Sequence, residues 1–205
     1  MPTGQTLTTA LAEVLRVDCA RDKAIAVRQL VAQWQDGSFT TIGQATPPAR
    51  PGRPERPQLR PPREVPRRRI TKTPGGRIAL VHAIAHIELN AIDLALDMAC
   101  RYVAHRLPRD FYTDWLSVAD DEARHFLMLC DRLAELGASY GDLPAHDGLW
   151  QAAQETADDF LGRLAIAPLV LEARGLDVTP AMINRLQSAD DAQTAAAFTI
   201  IMNDE

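Results

Sequence analysis

The chain has 205 residues, 46% of them hydrophobic and 5% aromatic, with a formal net charge of −5; that is enough for one domain with a full core, in an alanine- and leucine-rich composition that favours helices over sheet. Its three cysteines, Cys19, Cys100 and Cys130, show no C-x-x-C spacing, which argues against a disulfide framework or a cysteine zinc site and fits a reducing cytoplasm. The start "MPTGQTLTTALAEVLRVDCARDK" has no basic segment leading into an unbroken apolar core, and no run of about 18 apolar residues occurs, so neither export nor a membrane span is expected.

Residues 5–35 predict two short helices broken near Val17 to Ala20, with Leu11, Val14, Leu15, Ile25, Val27, Leu30, Val31 and Trp34 as apolar positions. From Ala45 to Gly76 the sequence turns to "ATPPARPGRPERPQLRPPREVPRRRITKTPGG". Its prolines lack the donors that helices and ladders need, which predicts an extended strap. Between Arg50 and Lys72 nine basic residues stand against Glu55 and Glu64, a net of +7 that leaves −12 for the rest. The strap is therefore expected either to lie across an acidic helical body or to form a nucleic-acid arm. No aromatic residue interleaves its arginines, which weakens single-strand stacking.

Long helices follow. One is predicted from Arg77 to Ala104, a second from Pro108 to Gly137, a third from Leu149 to about Arg174, a short one from Thr179 and Pro180 to Gln187, and a last from Asp190 onward. The organisation expected is a helical segment over 1–44, a strap over 45–76 and a four-helix bundle over 77–205.

Alternating steps of three and four residues along the second helix pick out Phe111, Trp115, Val118, Glu122, His125, Leu129, Leu133 and Leu136. The same test gives Val81, Ala85, Glu88, Ile92, Ala95 and Ala99 on the first helix, Leu161, Ala165, Pro168 and Glu172 on the third, and Ala195, Phe198, Ile201 and Glu205 on the last. One glutamate interrupts each apolar seam. Glu88 precedes Glu122 by 34 residues and Glu172 precedes Glu205 by 33. A turn near Leu107 would bring Glu88 level with His125, and one near Ala189 would bring Glu172 level with Glu205. Four carboxylates at one depth in an apolar core repel one another unless cations sit between them. One glutamate from each of two helices, with Glu-x-x-His from the others, is the ligand set of dinuclear carboxylate bundles. Oxygen donors with one imidazole per metal suit iron or manganese, and zinc also remains open.

The order of these glutamates and the segment "DEARH" resemble the ferritin-like superfamily, in the form seen in its oxygen-activating di-iron oxygenases. The segments "HIELNAIDLALDMA", "FYTDWLSVADDEARHF", "YGDLPAHDGLW" and "EARGLDVTP" resemble the bacterial family catalogued as domain of unknown function 455, over roughly residues 60–205. The resemblance implies metal ligands at Glu88, Glu122, His125, Glu172 and Glu205, and two iron ions or a manganese and iron pair. It also implies that Asp121 and Asp204 hold a ligand histidine by its second ring nitrogen. The pattern calls for a further histidine three residues past Glu205, so the fourth bundle helix is expected to be cut short.

The helical angles of His82 and His86 lie about 120° and 160° from Glu88, which makes them packing or surface residues. His146 with Asp147 is either a substrate or proton contact or a helix-approach turn. Pro168 is expected to bend or widen the third helix beside the metals. Tyr102, Tyr112 and Tyr140 have no placement that suggests a radical. The function expected is a dinuclear metal oxidoreductase, a di-iron oxidase or hydroxylase acting on a small molecule or RNA, in the cytoplasm, with a homodimer as the candidate assembly. The alternatives are metal or iron handling without an organic substrate, and a non-catalytic helical bundle. No residue is assigned as catalytic in its own right.

Overall fold

An alanine- and leucine-rich composition with few aromatic residues favours backbone donors and acceptors satisfied within helices. The computed structural model, which describes residues 5–65, 73–166 and 173–204, is all-helical. Its helices are α1 (Leu7–Leu15), α2 (Ala20–Gln35), α3 (Pro74–Arg101), α4 (Arg109–Glu135), α5 (Gly148–Glu155), α6 (Phe160–Leu164), α7 (Ala173–Ser188) and α8 (Ala192–Asp204), with 3-10 turns at Pro62–Glu64 and Val103–His105. Among the described residues no strand forms, only an isolated parallel bridge between Leu59 and Ala145.

By contacts the chain divides into two units. The first takes Met1–Glu55 with Glu88–Phe126, and the second Arg56–Ile87 with Leu127–Glu205.

In the first unit α1 and α2 stand where the sequence places them. Thr6 caps α1 by accepting from the Thr9 amide. Leu7, Leu11 and Leu15 are fully buried, and α2 turns Val27, Leu30, Val31 and Trp34 inward. Ile25, expected among the apolar positions, is 40% exposed. The chain then returns past α1, with the Leu7 and Thr8 amides donating to the carbonyls of Thr41 and Ile42. The strap continues as extended backbone and is fastened to α3. Lys23 Nζ, buried in α2, donates to the Gly52 carbonyl at 2.7 Å and to Asp93 at 2.8 Å. Arg53 reaches Asp93 at 2.6 Å and Asn90 at 2.9 Å, and Arg101 holds Asp97 at 2.6 Å. Asn90, Asp93 and Asp97 are all buried. They recur at helical spacing and form a polar stripe in which α2 and the strap neutralise Asp93 while Arg101 of α3 itself neutralises Asp97, as buried charges require.

All six seam positions of α3, from Val81 to Ala99, are buried. The helix starts at Pro74, ahead of the expected Arg77, because proline and glycine are tolerated in a first turn whose amides lack helical partners anyway. By length and composition α3 could cross a membrane, and 72% of that apolar window is buried inside the protein.

In the second unit the strap's next residues pair with the loop after α4: the Ala145 amide donates to Gln58 and the Arg60 amide to Ala145. The third helix departs from expectation. It is not continuous, because α5 ends at Glu155. There the Thr156 hydroxyl donates to the Ala152 carbonyl at 3.0 Å, and the buried Arg163 guanidinium bonds Thr156 Oγ1 and the Ala153 carbonyl. Asp159 then caps a new helix by accepting from the Gly162 amide at 2.9 Å. Side chains thus take over orphan groups at both helix ends, and the chain breaks between them. The expected seam fails with it: Leu161 is 74% exposed and Ala165 is also exposed. A π-type turn occupies Ala165 and Ile166, while Pro168 lies outside the described residues. Pro180, expected to open a helix, instead sits inside α7. α8 buries Ala195, Phe198 and Ile201 as expected, and Asp191 anchors its start, bonded to Thr194, Arg132 and Arg77.

Candidate metal centre

α3 and α4 bring Glu88, Glu122 and His125 together. The Nδ1 of His125 lies 3.5 Å from Oε2 of Glu88 and 3.8 Å from Oε2 of Glu122. One ligand atom from each residue lies within 4.8 Å of the other two. Glu122 and His125 are three apart on α4 and so share a face. All three side chains are at least nine-tenths buried. Their neighbours on the helices are apolar: Leu89 and Ile92 on α3, and Ala119, Ala123, Phe126 and Leu129 on α4.

Such a pair of carboxylates needs compensation. Among the described residues, Oε2 of Glu88 and Oε2 of Glu122 are buried and accept no hydrogen bond. Burial pushes the Glu88 carboxyl well above the ordinary carboxylate range, the adjacent Glu122 pushes it further the same way, and His125 opposes the shift. Two buried oxygens turned toward an imidazole nitrogen form a pre-built set of hard and borderline donors. Donors bound to one cation at about 2.0–2.2 Å stand roughly 3.0–3.5 Å apart at neighbouring corners. The two separations from His125 therefore need only a few tenths of an ångström of closure, and the residues present fit a divalent metal ion.

Glu172 and Glu205 lie outside the described residues. Asp121 pairs with Arg124 at 2.9 Å and is 41% exposed, and Asp204 is exposed on α8.

His82 and His86 are both buried, so the packing alternative fits them and the surface one does not. His86 Nδ1 lies 2.8 Å from the Tyr140 hydroxyl and its Nε2 3.0 Å from the His146 carbonyl. His82 Nε2 accepts from the Gly141 amide at 2.9 Å, and the Tyr140 ring stacks on both imidazoles. His146 belongs to this loop anchor through its carbonyl, and its Nδ1 accepts from the Gly148 amide at 3.3 Å. The stripe of Asn90, Asp93 and Asp97 was missed by seam counting. Its signal was present as three polar residues at spacings of three and four in a stretch, 89–100, that is otherwise apolar.

A family model described as "Protein of unknown function (DUF455)" matches residues 16–205. A protein of Haemophilus influenzae described as an uncharacterized protein is 44% identical over 157 residues, a match that covers 74% of this chain and 54% of that protein. The chain thus spans about half the length of the relative it matches. No solved structure matches.

Proposed function

The chain belongs to the DUF455 family, and we propose that it is a ferritin-like, dinuclear metal-carboxylate protein of the cytoplasm that binds iron, or manganese with iron, and oxidises an organic substrate. The observation that carries this reading is the buried Glu88, Glu122 and His125 cluster, with two carboxylate oxygens left without a hydrogen bond inside apolar surroundings. These three residues would hold one metal. Glu172 and Glu205 are assigned to the second by their spacing in the sequence. A metal held there would supply the redox chemistry with dioxygen.

The chain's own contribution is threefold. Glu88 and Glu122 give anionic oxygens that neutralise the ion. His125 presents Nδ1 from a ring that is 1% exposed, so its orientation is fixed by packing. The leucine, isoleucine and phenylalanine side chains around them exclude bulk water, which strengthens every charge interaction inside. Burial favours the protonated Glu88 carboxyl, so holding a cation there would be coupled to proton release. The substrate proposed is a small organic molecule or RNA; Arg56, Arg60 and Arg63 are exposed on the strap and available to the latter.

The test is metal content. Full-length protein grown with iron should carry it, His125→Ala should lose most of one equivalent, and the Glu88→Ala, Glu122→Ala double variant should lose most of what remains. Full iron retention in the double variant would overturn the assignment, and oxygen uptake by the reduced, loaded protein tests the oxidase reading.

A further inference from the structure

We infer that metals enter this chain in a fixed order, the first ion binding to Glu88, Glu122 and His125 alone, in a half-centre that functions without Glu172 and Glu205. This inference rests on the metal-carboxylate reading above and deepens it.

The three ligands come from two helices and lie within one contact unit, in its Glu88–Phe126 segment. No residue past Phe126 is needed to build the set. Nδ1 of His125 faces both carboxylates, at 3.5 and 3.8 Å, so one cation placed against it meets both oxygens. Charge points the same way. Two carboxylates and a neutral imidazole balance a divalent ion, so the filled half-centre is neutral and stays buried without a further counter-charge. Three protein donors also leave positions open for water, as in sites that react.

Cobalt(II) is the probe, added to metal-free 205-residue protein and followed by its visible absorption and its electron paramagnetic resonance. The Glu172→Gln, Glu205→Gln variant should keep one cobalt per chain, with a dissociation constant within about threefold of the tighter wild-type site. His125→Gln should weaken that site by roughly 30-fold or more, at least as much as the loss of a metal's outer hydrogen-bond partner. Wild type that binds cobalt while the Glu172→Gln, Glu205→Gln variant binds none would overturn the order and leave the metal reading standing. Wild type that binds no cobalt would bring down that reading itself. If the variant does not fold, the wild-type titration decides. Ordered filling gives isolated cobalt whose resonance grows linearly to one equivalent. Pairwise filling gives magnetically coupled ions with a suppressed signal from the first addition, and overturns the inference.

Discussion

Asp93 of α3 and Lys23 of α2 form an ion pair at 2.8 Å in which both side chains are essentially inaccessible, at 0% and 1% exposure. Arg53 joins the same carboxylate from the strap, so one buried anion holds two cations. Burial lowers the Lys23 pKa, and Asp93 is the chief influence opposing that shift.

Removing the anion should therefore be worse than removing either cation. Asp93→Asn leaves the buried Lys23 and the half-buried Arg53 without their shared anion and should destabilise by about 3–5 kcal/mol. Lys23→Met leaves Arg53 on Asp93 and should cost less. Urea unfolding midpoints check the order, and equal losses would mean that Asp93 does not organise the triad.

Gly52 is the tight point of the strap. A Cβ there would meet the Arg16 carbonyl oxygen at 2.4 Å, a backbone atom that cannot swing away. Gly52→Ala should destabilise by about 1–3 kcal/mol and expose residues 45–55 to protease. In the unmodified protein the same stretch should resist protease in 1 M salt. Screening there shortens to roughly 3 Å but barely reaches buried pairs, and Lys23 and Asp93 are buried. Cleavage that rises steeply with salt would mean that exposed charges hold the strap.

Asp191 gives a pH signature. Burial alone would raise its carboxyl. The Thr194 amide and hydroxyl, with Arg132 and Arg77, outweigh burial and hold it below the usual range. A depressed folded pKa adds stability that is present above the unfolded value of about 3.9 and is lost as pH falls through the folded one. Asp191→Asn keeps a cap for Thr194 but drops the charge, so it should cost about 1–3 kcal/mol near neutral pH. It should also flatten the decline of melting temperature below about pH 4. An unchanged acid limb would assign that decline to other groups.

The cysteines should separate by reactivity. Burial, aided by Asp97, pushes the Cys100 thiol up to about 12, and its sulfur lies 3.5 Å from the Thr8 carbonyl, whereas Cys19 is exposed. Native protein treated with iodoacetamide at pH 8 should be labelled at Cys19 and not at Cys100. Prompt labelling of Cys100, read by peptide mass, would mean that the α3 end of this core opens readily.

Periodicity made α3 and α4 legible, because a helix buried along one stripe repeats its apolar residues whatever its neighbours are. Glu88, Glu122 and His125 stood out as exceptions to that repeat, and the three do meet. The break after α5 was harder to see. Leu149 to Arg174 keeps helical spacing, and the interruption depends on which carbonyls Thr156 and Arg163 capture, a matter of local competition that spacing does not encode. The strap's extended course followed from its prolines. That Arg53 would turn inward to Asp93 while Arg56, Arg60 and Arg63 stay exposed depended on a tertiary partner that composition cannot name.

At 100° per residue, Asn90, Asp93 and Asp97 lie about 200°, 140° and 180° around α3 from Glu88. The charges that grip the back of this helix therefore also set its angle about its own axis. A turn of one residue would drive Asp93 among leucines and swing Glu88 off His125. The strap and Lys23 act as an indexing pin: by fixing the helix's rotation on one side, they aim a carboxylate on the other that they never touch.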